Sequence, residues 1–167
     1  MSLRILIADP DKYLLNVYRD YLEQHGFGVL TATSGLECVE KLRERCPDVL
    51  VLEPSLPWGG GDGVLAMMHE APNIPVVPVI ILTYGRDHGV LYRITPYPID
   101  DYLVKPSSAE QLAERIRTMD KRRQFEASQA RHSKPQWRVV MGTLASRCSP
   151  LTRISPASMG PHPSSGT

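Results

Sequence analysis

A chain of 167 residues, 42% hydrophobic and 22% charged, can bury the core of one ordinary domain with residues to spare. No apolar run approaches the roughly 18 to 20 residues of a membrane-spanning helix, and residues 1–9 lack the layout of a signal peptide. Cys38, Cys46 and Cys148 have neither disulfide-framework nor zinc-ligand spacing, so a soluble cytoplasmic protein with no membrane partner is expected.

The net charge of +1 hides an asymmetry. Residues 1–120 carry 11 Lys and Arg against 17 Asp and Glu, whereas residues 121–167 carry 8 against Glu126 alone.

The first aliphatic run, RILIA (4–8), ends on Asp9, Pro10 and Asp11. A segment of helical period follows, with Leu14, Val17, Tyr18, Tyr21 and Leu22 on its inner face. Gly26 is expected to stop that helix. VLTA (29–32) is the second strand. Ser34 and Glu37, in capping-box spacing, open a helix that turns Cys38, Val39, Leu42 and Cys46 inward.

VLVL (49–52) is the third strand and ends on Glu53. The WGGGD loop beyond it holds three consecutive glycines, which predict mobility. Trp58 beside them is expected to be a contact residue or a lid over the rim. The glycines lack the Lys and Ser/Thr of a P-loop.

VPVIIL (77–82) leads to Thr83, and in residues 85–101 Gly89, Pro96 and Pro98 limit any helix to two or three turns. YLV (102–104) leads to Lys105 and Pro106. The last helix opens with Ser107 and Glu110, turns Leu112, Ile116 and Met119 inward, and extends to about residue 131. These readings give a domain over residues 1–125 and a basic Ser/Pro-rich tail over residues 132–167. That tail has too few large apolar residues to offset its ordering entropy, and only residues 137–145 suit docking.

Short strands buried on both faces, alternating with helices, predict an open parallel α/β sheet. Its ligand site lies at the carboxyl ends of the strands. Asp9, Asp11, Glu53, Thr83 and Lys105 all fall there, and carboxylates, a hydroxyl and an ammonium on one rim suit a cation and a phosphoryl group. An Asp closing a strand is also a common turn or cap residue.

RILIADPD, DVLVLEPSLP with a later DG, PVIILT and DDYLVKP together resemble the receiver domain of bacterial response regulators, the CheY-like superfamily of two-component signalling. The resemblance covers residues 3–121. It implies a flavodoxin-like, doubly wound sheet of five parallel strands in the order 2-1-3-4-5, with helices on both faces. It also implies Mg²⁺ held by two acidic residues after the first strand and an Asp after the third, with that Asp as phosphoacceptor. Thr and Lys would contact the phosphoryl oxygens, and an aromatic residue three positions before the Lys would report the charge. Those roles fall on Asp9 with Pro10, on Glu53, on Thr83, on Lys105 followed by Pro106, and on Tyr102.

Two positions depart from that pattern. Pro10 has no side-chain oxygen, so Mg²⁺ binding should be weakened; Asp11 is the substitute ligand, turned one residue away. Glu53 is one methylene longer than Asp, and a displacement near 1 Å can cost about 10²-fold in rate. It either imitates the phosphorylated state, with one charge in place of roughly −1.5 to −2, or only pairs with Lys105. The expected function is an atypical stand-alone receiver, not an enzyme and without a required cofactor. It would act as a phosphorylation-independent interaction module through the 85–123 face, on a signalling partner or a second copy. The alternative is a residual phosphoacceptor using Glu53 or Asp11. An enzyme reading finds no nucleophile with a base at motif spacing. The tail is expected to be solvated linker in preference to a site for an anionic partner.

Overall fold

A computed structural model describes residues 2–85 and 88–132. The expectations for the tail, including residues 137–145 and Cys148, lie outside the described residues. The chain divides into two compact units, Met1–Glu126, which holds the sheet, and Ala127–Thr167, described only where the last helix ends.

The elements alternate as β1 (Arg4–Ala8), α1 (Lys12–Gln24), β2 (Gly28–Ala32), α2 (Gly35–Arg45), β3 (Val49–Leu52), α3 (Gly60–Glu70), β4 (Val79–Thr83), α4 (His88–Ile94), β5 (Asp101–Val104) and α5 (Ala109–His132). The five strands form one parallel sheet in the order β2-β1-β3-β4-β5. This is the flavodoxin-like topology implied by the resemblance.

Successive strand residues point to opposite faces, so each central strand feeds two cores. On one face Ile5, Ile7, Val49, Val51, Ile80 and Leu82 pack with Leu15, Tyr18 and Leu22 of α1 and Leu112, Ala113, Ile116 and Met119 of α5. On the other, Leu6, Ala8, Leu50, Leu52, Val79 and Ile81 pack with Cys38 and Leu42 of α2, Val64, Leu65 and Met68 of α3, and Ile94 of α4. Burial on both faces is why these strands read as unbroken aliphatic runs.

Several local expectations need correction. The inner face of α1 centres on Leu15, with Leu14 and Tyr21 flanking it and Val17 exposed. Cys46 does not turn inward; it caps α2 in the left-handed region, at φ 44°, and is exposed. Ser34 does cap α2, but Glu37 reaches back to the backbone N–H and hydroxyl of Thr33 instead of Ser34. In α5 the reciprocal cap is made one residue later, by Ser108 and Gln111.

Of the glycines after Trp58, Gly59 and Gly60 take positive φ, at 112° and 63°, and Gly61 is a packing residue. Gly60 and Gly61 lie in the first turn of α3. A Cβ on Gly61 would stand 2.6 Å from the Cα of Pro54, and one on Gly35 would stand 2.9 Å from the Trp58 carbonyl oxygen. The loop is further tied to α2 by the Gly35 and Leu36 N–H groups, which donate to the carbonyls of Pro57 and Trp58. Gly61→Ala is therefore expected to cost about 1 to 3 kcal/mol as overpacking against backbone, measured by urea unfolding.

Candidate functional site

Register carries four polar side chains to one end of the sheet. The Asp9 N–H donates to Ala32, the Glu53 N–H to Ala8 and the Lys105 N–H to Thr83, so the ladder continues one residue past β1, β3 and β5. Thr83 closes β4. Asp9, Glu53, Thr83 and Lys105 are the buried polar side chains among the described residues, and burying such groups is costly unless they are paired.

They pair with one another. The Glu53 Oε1 accepts from the Thr83 hydroxyl at 3.0 Å and from the Ser55 N–H at 3.1 Å. Its Oε2 accepts from the Lys105 ammonium at 3.0 Å. The same ammonium donates to Asp9 Oδ2, and Asp9 Oδ1 accepts from the Asp11 N–H at 2.9 Å. The ring of Tyr84 lies with its centroid 4.9 Å from Lys105 Nζ, within cation–π range. Pro10, Asp11, Ser55 and Tyr84 complete a cleft of about 290 Å³ around the four.

Two carboxylates share one ammonium, and the titration behaviour reflects that count. Burial pulls the Lys105 pKa down, but the hydrogen bonds to Asp9 and Glu53 outweigh it and leave it raised. Burial pushes the Asp9 carboxyl up, against the opposing hydrogen bond from Lys105, and Glu53 adds repulsion. A folded pKa above the unfolded one favours the fold at low pH, and that contribution is lost as pH rises through the folded value. Asp9→Asn should therefore raise the unfolding midpoint at neutral pH relative to the native chain, with the advantage vanishing in acid. Thermal melts across pH check this.

The Mg²⁺ implied by the resemblance does not fit this donor set. Lys105 stands between the two carboxylates, and Pro10 offers no side-chain oxygen. The proposed substitute, Asp11, is the N-cap of α1; its carboxylate accepts from the Tyr13 and Leu14 N–H groups at 2.9 and 3.2 Å. Both bonds fall on Oδ1, so Asp11 serves as a helix cap. Among the described residues there is no group of three His, Cys, Asp or Glu placed to hold a metal.

The profile of the response regulator receiver domain matches residues 5–117. The chain belongs to this family. The receiver is 32% identical over 119 residues to the phosphate regulon transcriptional regulatory protein PhoB of Rhizobium meliloti, covering 71% of this chain and 52% of that protein. It is 26% identical over 118 residues to the polar-differentiation response regulator DivK of Brucella ovis, covering 71% and 96%. A receiver domain structure from Clostridium thermocellum superposes with a TM-score of 0.62 at 27% identity, covering 74% of this chain and 98% of that one. The chain spans about half the length of the curated transcriptional regulators it matches. Receivers are signalling modules of two-component systems, and no described helix of this one is long and apolar enough to cross a membrane.

The remaining expected site residues lie outside the cleft. Tyr102 faces a groove of about 560 Å³ with Ile81, Leu91, Ile94, Tyr97 and Ile99. Burial and the charge of Glu53 together raise its phenol pKa. Pro106 lines a separate depression between β5 and α5. Trp58 is 76% exposed and does not border the cleft, which removes the lid reading. Tyr84 and Ser55 were missed. The signal for Tyr84 was available, since it directly follows Thr83 at a strand end; Ser55 acts through its backbone, which no side-chain pattern reveals.

Proposed function

We propose that this receiver works without phosphorylation, as an interaction module of two-component signalling whose switch region is set by the permanent charge of Glu53. The observation that carries this reading is the Glu53 carboxylate hydrogen-bonded at once to the Thr83 hydroxyl and the Lys105 ammonium. These are the two groups that the family resemblance assigns to a phosphoryl group. A carboxylate one methylene longer than Asp already occupies both, and in-line attack requires a nucleophile that is free and aligned.

The partner surface is the 85–123 face. Its apolar groove has aromatic walls in Tyr97 and Tyr102, and Tyr92 is 78% exposed on α4. Aromatic residues around a groove are the usual anchors of protein interfaces. A signalling protein is the proposed occupant. The alternative, a residual phosphoacceptor at Glu53, has in its favour the open cleft beside that residue.

Glu53→Gln tests the charge reading, because it keeps the shape and one acceptor oxygen while removing the charge. The Tyr102 phenol pKa should fall toward its ordinary value and the ring resonances should move, both read by NMR titration. An unchanged Tyr102 would leave Glu53 as a structural ion pair only.

A further inference from the structure

We infer that Lys105 is itself the resident cation of the strand-end site, joining Asp9 and Glu53 in place of a divalent ion, and that this chain takes up no Mg²⁺ there. The inference goes beyond the proposed function and does not depend on whether Glu53 signals.

Each oxygen of the Asp9 and Glu53 carboxylates already has a protein donor. Lys105 takes Asp9 Oδ2 and Glu53 Oε2, the Asp11 N–H takes Asp9 Oδ1, and Thr83 with the Ser55 N–H takes Glu53 Oε1. An incoming ion would have to compete with these bonds and sit beside a buried ammonium, where like charges repel strongly because little water screens them. Mg²⁺ gives up its water reluctantly and asks for near-octahedral oxygen ligands. Here the second acidic position after β1 is Pro10, and Oδ1 of Asp11 is taken by the first turn of α1. The tethered ammonium, backed by the Tyr84 ring, is present in every molecule whatever the ion concentration.

Deleting the ammonium while leaving its space should convert the site into a divalent-cation site, because two buried carboxylates then need a counter-charge. Lys105→Ala leaves that space, and Lys105→Met fills it.

The test uses the full chain with Mg²⁺ as the probe at constant ionic strength. The native unfolding midpoint should not respond. For Lys105→Ala it should rise by roughly 3 to 6 °C when the ion is about tenfold above its dissociation constant, and Lys105→Met should not respond. A native midpoint that rises with Mg²⁺, or a folded Lys105→Ala that ignores it, overturns the inference. Should Lys105→Ala not fold, Mn²⁺ line broadening on the native chain decides: no selective broadening at the Asp9 and Glu53 amides sustains the inference, and selective broadening overturns it. A native chain that takes up Mg²⁺ but no phosphoryl group would refute this inference and leave the proposed function standing.

Discussion

Replacing Lys105 with methionine is expected to destabilise the fold by about 3 to 5 kcal/mol, the loss typical of breaking a buried ion pair from one side. Methionine keeps most of the volume, so the effect isolates the charge. What remains is two carboxylates, both buried and facing each other across the place of the ammonium. The pH dependence has a definite sign. The folded pKa of Lys105 is raised, so its contribution is fully present below the ordinary lysine value and is lost as pH rises through the folded one. Native stability should therefore decline in strongly alkaline solution by an amount that Lys105→Met lacks. Urea unfolding of both chains across pH measures each part, and a loss under about 1 kcal/mol, the worth of an exposed pair, would show that the pairing contributes little.

The second large effect belongs to the strand that presents Glu53. Leu52 is fully buried and packs in the cluster with Leu56, Val64 and Leu65. Leu52→Ala is expected to cost about 2 to 5 kcal/mol, combining lost transfer free energy with the cavity left behind. Each kcal/mol should lower the melting midpoint by about 2 to 4 °C in a chain of this size. Because Leu52 directly precedes Glu53, the cavity should also loosen the carboxylate from Thr83. Chemical-shift changes at the Thr83 and Ser55 amides would report that, and a variant destabilised without any such change would separate packing from site geometry.

The sheet was legible because its strands are buried on both faces. RILIA and VLVL coincide with β1 and β3 residue for residue, since an aliphatic run flanked by turn residues has few other folds available. The site was legible for the same reason: Asp9, Glu53, Thr83 and Lys105 stand at strand ends, and parallel register brings strand ends together. What escaped depended on contacts between distant segments. Three glycines in a row look like freedom until the Pro54 backbone is seen against Gly61. The cap role of Asp11 was also hidden: its Oδ1 accepts from two N–H groups at the start of α1, which a strand-end pattern does not reveal. The cap of α5 slipped from Ser107 to Ser108 because either serine satisfies the pattern, and the Ser107 carbonyl is used elsewhere, by the buried Tyr18 hydroxyl.

Electrostatics was the least legible part. Sequence order puts two carboxylates and one lysine at the rim but does not show that a single ammonium serves both. That sharing, with the Thr83 hydroxyl bound to the same Glu53, is what supports the proposal that the residue at the acceptor position acts as a fixed charge.

Intact-mass measurement after incubation with Mg²⁺ and a small phosphodonor tests that view most directly. The native chain is expected to show no added phosphoryl group, and any acceptance should return only in the Pro10→Asp, Glu53→Asp double variant, which restores both departures together. Stoichiometric labelling of the native chain would contradict the account.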